Sequence, residues 1–473
     1  MKNKNYSQLF INGQWVDSSS DQTITVLNPA TEEVIADVPH ANEDDVDQAV
    51  AAAKEAFPAW NAQPVSERSD LLMRLADAIE EHQDDILDLI IEEMGTAREF
   101  GKVAQVGRSI SEIRSLVAEL DNFKFKEEYK GFDVIKEGYG VVACITPWNY
   151  PLNQIQRKIT PALLAGNTVV VKPASNTPLT GFYLTRLIEE IGFPAGVFNF
   201  VTGGGSDTGN YLAGHEDVSV ISFTGSTDVG KGLYEKAAPR IKQLILELGG
   251  KSAMVYLEGG SLKTAVKQSM DAVLNNTGQS CSALTRLLVP ESRLDETKQV
   301  IRDYYERRAV VGNPADDETI VGPQISKDQQ ERVESYIQKG KDEGATVFLG
   351  GEKIEGKGFF VQPTIFTEVT NDMTIAREEI FGPVLCVLTY STVEEAIQIA
   401  NDSPYGLSGA VVGPKEEAYE VASQLRTGNI LINGANRSDD ALFGGYKQSG
   451  MGREVGLWGL EDYLEEKALF YKK

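Results

Sequence analysis

Two side chains with reactive chemistry stand in segments that would favour their use. Cys281 lies in NNTGQSCSAL, after a Gly-Gln-Ser turn and among small polar residues that leave room for a substrate. Glu247 lies between two leucines in LELGGKS, where burial would raise its pKa towards that of a general base. A cysteine with such a base is suited to nucleophilic catalysis. A free cysteine in a turn fits the first segment as well, and a salt-bridged strand-end glutamate is the commoner interpretation of the second.

A third polar candidate is Asn149 in PWNYP, whose side-chain amide could donate to a developing oxyanion. The other two of the three cysteines, Cys144 and Cys386, lie among apolar residues on predicted strands. There they are expected to be buried and inert. No histidine lies near Cys281 in the sequence, and Glu247 is the candidate partner for its proton.

The segment FTGSTDVGKG, residues 223–232, partly matches a phosphate-binding loop. That motif requires Ser or Thr after its lysine, whereas Gly232 follows Lys231 here, so a magnesium ligand would be missing. What remains is a strand, the turn of Gly225 and Ser226, and a helix whose free N–H groups suit a diphosphate. For this segment alone, an ordinary strand-to-helix turn is the favoured interpretation. VTGGGSDTG nearby misses the GxGxxG pattern at Thr208 and is weak evidence alone.

Composition excludes several classes of protein. The chain carries 70 acidic and 45 basic residues, a net charge of −25, and no long basic run, so nucleic acid is a poor candidate partner. Neither a signal peptide nor an apolar stretch long enough to span a membrane is present. Three cysteines without a CxxC pair indicate a reducing, cytoplasmic setting. No cluster has zinc-like spacing, so no metal is expected.

The patterning predicts two alternating α/β blocks. Short hairpin strands and two amphipathic helices come first, the second helix starting at an N-cap at Ser66 and stopping at Gly95. From residue 139, apolar strands that end in Pro, Gly or Ser alternate with helices, which favours a parallel, doubly wound sheet. Ligands of such sheets bind beyond the carboxyl ends of the strands. A second block covers about 252–440, and the charged segments 124–140 and YLEEKALFYKK are expected to pair with each other or with another subunit.

These segments together resemble the aldehyde dehydrogenase superfamily over essentially the whole chain. The matching motifs are FINGQW, PWNYP, VVVKPAS, FTGST, LELGGK, NNTGQSC, EEIFGP and FGGYKQSG. The most specific pair is LELGGK with GQSC, since 34 positions separate Glu247 from Cys281. The resemblance implies a Rossmann-like dinucleotide-binding domain, a second α/β catalytic domain and a small β oligomerisation arm. Residues 1–123 with 139–249, residues 250–440, and residues 124–138 with 441–473 are assigned to these three parts.

The resemblance also implies the catalytic roles. Cys281 is the nucleophile, Glu247 the base acting through a water, and Asn149 the oxyanion donor together with the Cys281 backbone N–H. An aldehyde would be oxidised to the acid through a thiohemiacetal and a thioester, with hydride transfer to NAD or NADP. The residues implied in cofactor binding are Trp148, Lys172, Ser175, Gly205, Gly225, Ser226, Leu248, Glu379 and Phe381.

Two departures from the family pattern concern selectivity. NAD-dependent members often carry a glutamate three positions after the lysine, where this chain has Ser175, which leaves space for the 2′-phosphate of NADP. The motif often written PFGG begins here with Leu442, near the expected substrate entrance. No arginine pair evident in the sequence marks a dicarboxylic semialdehyde, so the aldehyde itself is left open.

Three alternatives to a free-acid-forming dehydrogenase remain at this level. An acylating relative that passes the thioester to coenzyme A typically lacks the base, so Glu247 argues against it. A catalytically retired protein of the same fold is disfavoured by the intact Cys281, Glu247 and Asn149. A P-loop phosphotransferase is disfavoured by Gly232.

The expected assembly is a homodimer or homotetramer, because the arm and the C-terminal tail form the family's oligomerisation element.

Overall fold

The computed structural model describes residues 6–472, so residues 1–5 of the predicted first domain and residue 473 of the predicted tail lie outside it. Apolar, β-branched segments form the strands, as their composition predicts. In chain order they are β1 Leu9–Ile11, β2 Gln14–Val16, β3 Thr23–Leu27, β4 Val34–Pro39, β5 Lys126–Tyr129, β6 Phe132–Gly138, β7 Val141–Ile145, β8 Thr168–Lys172, β9 Phe198–Phe200, β10 Val218–Thr224, β11 Gln243–Glu247, β12 Ala253–Tyr256, β13 Arg286–Pro290, β14 Thr346–Leu349, β15 Thr364–Thr367, β16 Val384–Tyr390, β17 Tyr405–Gly406, β18 Ser408–Val412, β19 Asn429–Ile432, β20 Tyr446–Lys447, β21 Gly450–Met451 and β22 Leu464–Phe470.

The helices fall mainly between strands, as expected for a chain that alternates the two elements. In chain order they are α1 Glu43–Asn61, α2 Val65–Glu81, α3 Gln83–Met94, α4 Arg98–Phe100, α5 Arg108–Glu119, α6 Pro151–Leu164, α7 Leu179–Ile191, α8 Asn210–Gly214, α9 Thr227–Ala237, α10 Leu262–Leu274, α11 Leu294–Arg308, α12 Lys327–Asp342, α13 Thr374–Arg377, α14 Val393–Asn401, α15 Lys415–Gln424 and α16 Gly456–Glu461.

The first large sheet has eight strands in the order β2-β1-β9-β8-β7-β10-β11-β21. Its five inner strands, β9 to β11 in that order, are parallel, and the edge pairings of β1 with β9 and β11 with β21 are antiparallel. Helices cover both faces, since Val142 and Cys144 of β7 join one apolar cluster whereas Val141, Ala143 and Ile145 join another. This arrangement confirms the predicted doubly wound α/β class.

The second large sheet has seven strands in the order β14-β15-β16-β13-β12-β18-β19. All of its pairings are parallel except that of β14 with β15. It is also covered on both faces, with Cys386 of β16 buried in one of the two clusters. The predicted second α/β block therefore forms a sheet of its own.

The arm and the tail pair with each other inside the chain. β22 runs antiparallel to β6, from Leu464 opposite Gly138 to Phe470 opposite Phe132, and β5 adds the third strand. β22 is an edge strand, and Phe470 is 79% exposed. These segments were expected to pair with each other or with another subunit. The structure contains the first pairing, and β22 remains an open edge.

The long helix predicted to start at Ser66 is interrupted. α2 begins after Pro64, and His82 separates it from α3, because His82 adopts a non-helical backbone conformation (φ −103°, ψ 17°). Gly95 ends α3 in the left-handed conformation, as predicted. No helix among residues 6–472 is long and apolar enough to cross a membrane.

Candidate active site

Three neighbouring strands of the first sheet end at one edge, and the predicted site lies there. β7 leads into Trp148 and Asn149, β10 into Gly225, and β11 ends on Glu247 itself. Because parallel strands share the direction of their carboxyl ends, segments far apart in sequence meet at this edge.

Cys281 reaches this edge on an unusual turn. Asn276, Thr277 and Gly278 all have positive φ, at 51°, 56° and 71°. A Cβ at Gly278 would lie 2.1 Å from the carbonyl oxygen of Gly382, so the close approach requires glycine. Two consecutive non-glycine residues in the left-handed region store strain, which is typical of functional sites. The turn fixes the position of Cys281 against the EEIFGP segment.

Asn149 is anchored to the same turn. Its Nδ2 donates to the carbonyl oxygen of Gln279 at 3.0 Å, and its own backbone carbonyl accepts from Asn276 Nδ2 at 3.0 Å and Gln105 Nε2 at 3.3 Å. Its Oδ1 is buried without a hydrogen-bond partner among the described residues. One amide hydrogen of Asn149 is thus used for positioning, and the other remains for a ligand.

Glu247 is buried, and neither carboxylate oxygen has a hydrogen-bond partner in the described chain. Burial raises its pKa well above the ordinary value, and Glu454 raises it further, whereas Lys158 and Arg157 oppose the shift. Lys158 Nζ lies 2.6 Å from Glu454 Oε1 in a wholly buried ion pair. A buried carboxylate with a raised pKa is a stronger base than an exposed one and is suited to take a proton from a neighbouring group.

The loop after Glu247 lies directly against the segment that carries Cys281. A Cβ at Gly250 would lie 2.3 Å from the backbone carbonyl oxygen of Cys281. Burial raises the pKa of the Cys281 thiol to about 12, and Glu379 and Glu247 add to the rise, whereas Arg157 and Arg437 lower it. The thiol is therefore protonated at neutral pH and needs a base to become a nucleophile.

A cavity of about 630 Å³ opens beside Cys281 and Asn149. A volume of this size suits a cofactor or a substrate. The cavity is also lined by six of the residues predicted to bind the cofactor: Trp148, Gly225, Ser226, Leu248, Glu379 and Phe381.

The first turn of α9 faces this cavity. Ser226 is its N-cap, accepting from the backbone N–H of Val229, and the other free N–H groups of the turn are suited to a diphosphate. Glu379 accepts from the backbone N–H of Gly250 at 2.9 Å, and burial raises its pKa to about 7. These groups fit the phosphate and ribose parts of a dinucleotide.

The remaining predicted cofactor residues lie on the other side of α9. Gly205 lines a second cavity of about 540 Å³, together with Phe223 and Leu233. Lys172 Nζ donates to the carbonyl oxygens of Pro173 and Gly203, and burial lowers its pKa to about 8.

Ser175 Oγ donates to the same Gly203 carbonyl oxygen at 3.0 Å. Lys172, Ser175 and the glycine loop are therefore brought together. α9 lines both cavities, through Asp228 and Lys231 on one side and Val229 and Gly232 on the other. An extended dinucleotide that crosses the start of this helix fits the arrangement.

Sequence reasoning missed the polar residues that support the site. Gln105, Asn276 and Gln279 hold Asn149, and Lys158 with Glu454 tunes Glu247. The run NNTG could have indicated the left-handed turn, because asparagine and glycine tolerate positive φ. Glu454 carried no such signal, since 207 residues separate it from Glu247 in the chain.

Comparison with known proteins identifies the protein family. A family model described as the aldehyde dehydrogenase family matches residues 15–469. A Staphylococcus aureus relative, named provisionally as an aldehyde dehydrogenase, is 45% identical over 98% of this chain and 99% of its own length. The Pseudomonas syringae aldehyde dehydrogenase AldC, solved as a cysteine-to-alanine variant with NAD+ and octanal, is 41% identical, with a TM-score of 0.96 over 98% of this chain and 96% of that one.

A Mycobacterium tuberculosis aldehyde dehydrogenase solved with NAD+ is 40% identical, with a TM-score of 0.96 over 99% of this chain and 98% of that one. The two wound sheets and the cavity beside a cysteine define a dinucleotide-dependent α/β oxidoreductase. The chain belongs to the aldehyde dehydrogenase family. It is an NAD(P)-dependent aldehyde dehydrogenase, which oxidises an aldehyde with hydride transfer to the nicotinamide cofactor.

Proposed function

We propose that this aldehyde dehydrogenase forms the free acid by covalent catalysis, with Cys281 as nucleophile, Glu247 as base and Asn149 as oxyanion donor. One observation carries the proposal. The turn at 276–278 delivers Cys281 to the cavity wall beside the tethered amide of Asn149, while both oxygens of the buried Glu247 lack a hydrogen-bond partner among the described residues. Nucleophile, donor and base thus converge on one place.

The first step requires a thiolate. Glu247, acting through a water, takes the proton of Cys281, whose pKa is too high for spontaneous ionisation at neutral pH. The sulfur then bonds to the aldehyde carbon, and the carbonyl π electrons move to oxygen to form a thiohemiacetal anion. The free amide hydrogen of Asn149 and the backbone N–H of Cys281 stabilise this oxyanion.

Bound in the cavity, NAD(P)+ supplies the acceptor for the hydride that leaves the thiohemiacetal carbon. Trp148 and Phe381, whose ring centroids lie 5.3 Å apart, form the aromatic wall there, and Glu379 offers a carboxylate to ribose hydroxyls. Ser226 and its turn take the diphosphate, and Lys172 takes the adenosine ribose. Because Ser175 brings no negative charge, we infer that NADP is accepted beside NAD.

The second step releases the acid. After it has released the first proton to solvent, Glu247 takes a proton from a water whose oxygen attacks the thioester carbon, and the Cys281–carbon bond breaks to return the thiolate. Transfer to coenzyme A, the competing outcome, needs no such base. The retention of Glu247 in a buried and activated state therefore supports hydrolysis.

We propose residues 1–123 with 139–249 as the dinucleotide-binding domain, 250–440 as the catalytic domain and 124–138 with 441–473 as the bridging element. The open edge of β22 supports a homodimer or a dimer of dimers. A cytoplasmic location is proposed from the low cysteine content.

The decisive experiment is Cys281→Ala, assayed for aldehyde-dependent NAD(P)H formation with and without coenzyme A. Turnover should fall below detection, because the nucleophile is lost, while NAD+ binding measured by calorimetry stays close to that of the native enzyme. Cys144→Ala and Cys386→Ala are matched controls, since both thiols are buried away from the cavity and should affect stability more than turnover. Substantial activity in the Cys281 variant would refute the assignment.

A further inference from the structure

Two arginines from distant parts of the chain lie near the nucleophile. The guanidinium carbons of Arg437 and Arg157 lie 4.1 Å and 5.3 Å from the centroid of the Phe443 ring. Phe443 belongs to the small apolar cluster against which Cys281 packs. Both guanidinium groups lower the pKa of the Cys281 thiol, so they lie within electrostatic reach of the reactive sulfur.

Arg157 is neutralised within the protein. Its Nη2 lies 2.5 Å from Glu112 Oε1 and its Nε lies 3.2 Å from Glu112 Oε2, with both side chains buried. Glu112 Oε2 also accepts from Asn153 and Gln156. The charge of Arg157 is thus satisfied without any ligand.

Arg437 has no comparable partner. Within residues 6–472 it forms neither an ion pair nor a hydrogen bond, and its contact is the ring of Phe443. Burial lowers its pKa to about 10, with Arg157 and Arg108 contributing, so it remains charged at neutral pH. Arg108 is compensated only loosely, by Asp439 at 3.9 Å. A partly buried cation without an anion is unfavourable, and a ligand that brings a carboxylate would relieve it.

Arg157 and Arg437 approach Cys281 from outside the cofactor cavity, since neither of them lines it. If the nicotinamide takes the cavity, the aldehyde chain extends on that other side. Phe100 and Tyr150, with ring centroids 6.3 Å apart, supply aromatic surface next to the segment of Asn149. The chain as a whole carries a net charge of −25, so a positive group at this place is specific to the site.

We propose that the preferred substrates are aldehydes whose far end carries a carboxylate, bound by Arg437 with Arg108 beside it. The inference rests on the proposed role of Cys281 and adds the substrate class. Guanidinium suits this task because its planar donors match both carboxylate oxygens. The sequence alone did not suggest such a pair, since positions 108 and 437 meet only in the folded chain.

The test compares matched substrates with NAD+ in excess. Straight-chain aldehydes of about four to eight carbons are assayed with a terminal carboxylate and with a terminal methyl group, so that 8-oxooctanoate is compared with octanal. We expect kcat/KM to favour the carboxylate by about tenfold or more for at least one length, as expected of hydrogen bonds to charged groups. Preference for the methyl-ended aldehyde at every length would overturn the proposal.

The variant is Arg437→Gln, and the readout is the ratio of the two kcat/KM values. This ratio should fall by about 10- to 100-fold, whereas a general loss of Cys281 reactivity would lower both values together. Arg302→Gln is the matched control, because Arg302 is exposed and also stacks on a phenylalanine, Phe348, at 4.8 Å. An unchanged ratio in the Arg437 variant would refute the role of this residue.

A measurement on the native enzyme covers the case of a variant that fails to fold. Glutarate, a five-carbon dicarboxylate, should slow alkylation of Cys281 by iodoacetamide more strongly than pentanoate does at the same concentration. Equal protection by the two acids would count against an anion site. Failure of the Cys281 role would look different, since Cys281→Ala would then stay active with either kind of aldehyde.

Discussion

At the scale of single residues, the site is governed by burial of ionisable groups. Cys281, Glu247 and Glu379 all have raised pKa values, and burial is the largest cause in each case. A protonated thiol beside an activated carboxyl group is a stable resting state. The proton must move before the nucleophile can act, which makes the chemistry of both residues dependent on pH.

Glu247→Gln removes the proposed base from both steps of the reaction. The variant keeps Cys281 but loses the group that takes its proton, so the first turnover should slow by about 10²- to 10⁴-fold, the usual contribution of a general base. Stopped-flow absorbance should therefore show slow NADH formation from the first turnover, without a burst. A rapid burst of NADH close to the enzyme concentration, followed by slow turnover, would show that Glu247 acts only in hydrolysis of the thioester.

Alkylation of Cys281 should report its raised pKa directly. Because only the thiolate reacts, the rate with iodoacetamide should rise about tenfold per pH unit between about pH 6 and 9, without a plateau. The same cysteine in urea-unfolded protein is the reference, and its rate should level off near the ordinary thiol pKa of about 8.5. Mass spectrometry of the Cys281 peptide gives both rates, and a plateau below about pH 8 in folded protein would contradict the shift.

At the scale of elements, strand ends and the loops that follow them set both the chemistry and the cofactor choice. β11 carries Glu247, β10 leads to the turn at the start of α9, and β8 ends on Lys172. The loop after β8 holds Ser175 against Gly203, beside Lys172. We expect this loop to determine the selectivity between NAD and NADP, because it would contact the adenosine ribose.

Ser175→Glu should lower kcat/KM for NADP selectively. A carboxylate there would oppose the 2′-phosphate, and like charges about 4 Å apart cost ~1–4 kcal/mol, which corresponds to about five-fold to several-hundred-fold. NAD should be tolerated, since its ribose hydroxyls can donate to the new carboxylate. The control Ser175→Gln introduces a side chain of the same size as glutamate but without its charge. Its kcat/KM for NADP should change much less. Equal losses for both cofactors in the Glu variant would show that this loop does not meet the ribose.

The buried pair of Lys158 on α6 with Glu454 should be important for stability. Lys158→Met leaves Glu454 buried and unpaired near Glu247, which should lower the free energy of unfolding by about 3–5 kcal/mol. Lys54→Met breaks a pair of the same 2.6 Å length with Asp217 at the surface and should cost less than about 1 kcal/mol. Urea unfolding of both variants measures the difference, and similar losses would contradict this account.

At the scale of the whole molecule, β22 is the element that favours assembly with another chain. It forms an open edge of a three-stranded sheet, and its residues Leu469 and Phe470 are exposed. An exposed apolar edge strand favours pairing with another chain. Phe470 packs loosely on Phe132, with ring centroids 5.6 Å apart, so most of its surface stays available.

Light scattering at micromolar concentration should give a mass of two or four times 51.7 kDa, which is the mass of one chain. Deleting the residues after Asp462 should yield monomeric or aggregated protein with little activity, because it removes β22. Phe470→Asp is the milder test and should shift the mass towards the monomer. Tyr419→Asp, at a residue 70% exposed elsewhere, should leave the mass unchanged. A native mass near 51.7 kDa would rule out the proposed assembly.

The sequence by itself determined the fold class, most strand positions and the family. These depend on local patterns, such as the β-branched run TVVVK of β8, and on motifs read within a few residues of each other. The same patterns made Cys281, Glu247 and Asn149 candidates for the site, because the types and flanking residues of all three are distinctive. A local error remained in the long helix, where no sequence signal marked the interruption at His82.

Only the tertiary structure decided the electrostatics and the surroundings of the nucleophile. Burial and charge depend on which segments meet, and the chain positions of Lys158, Glu454 and Glu247 give no sign of their proximity. The same holds for Arg108 and Arg437, which come near each other although 329 residues separate them in the chain. Such contacts arise from the packing of two sheets and their loops, and residue spacing alone does not encode them in readable form.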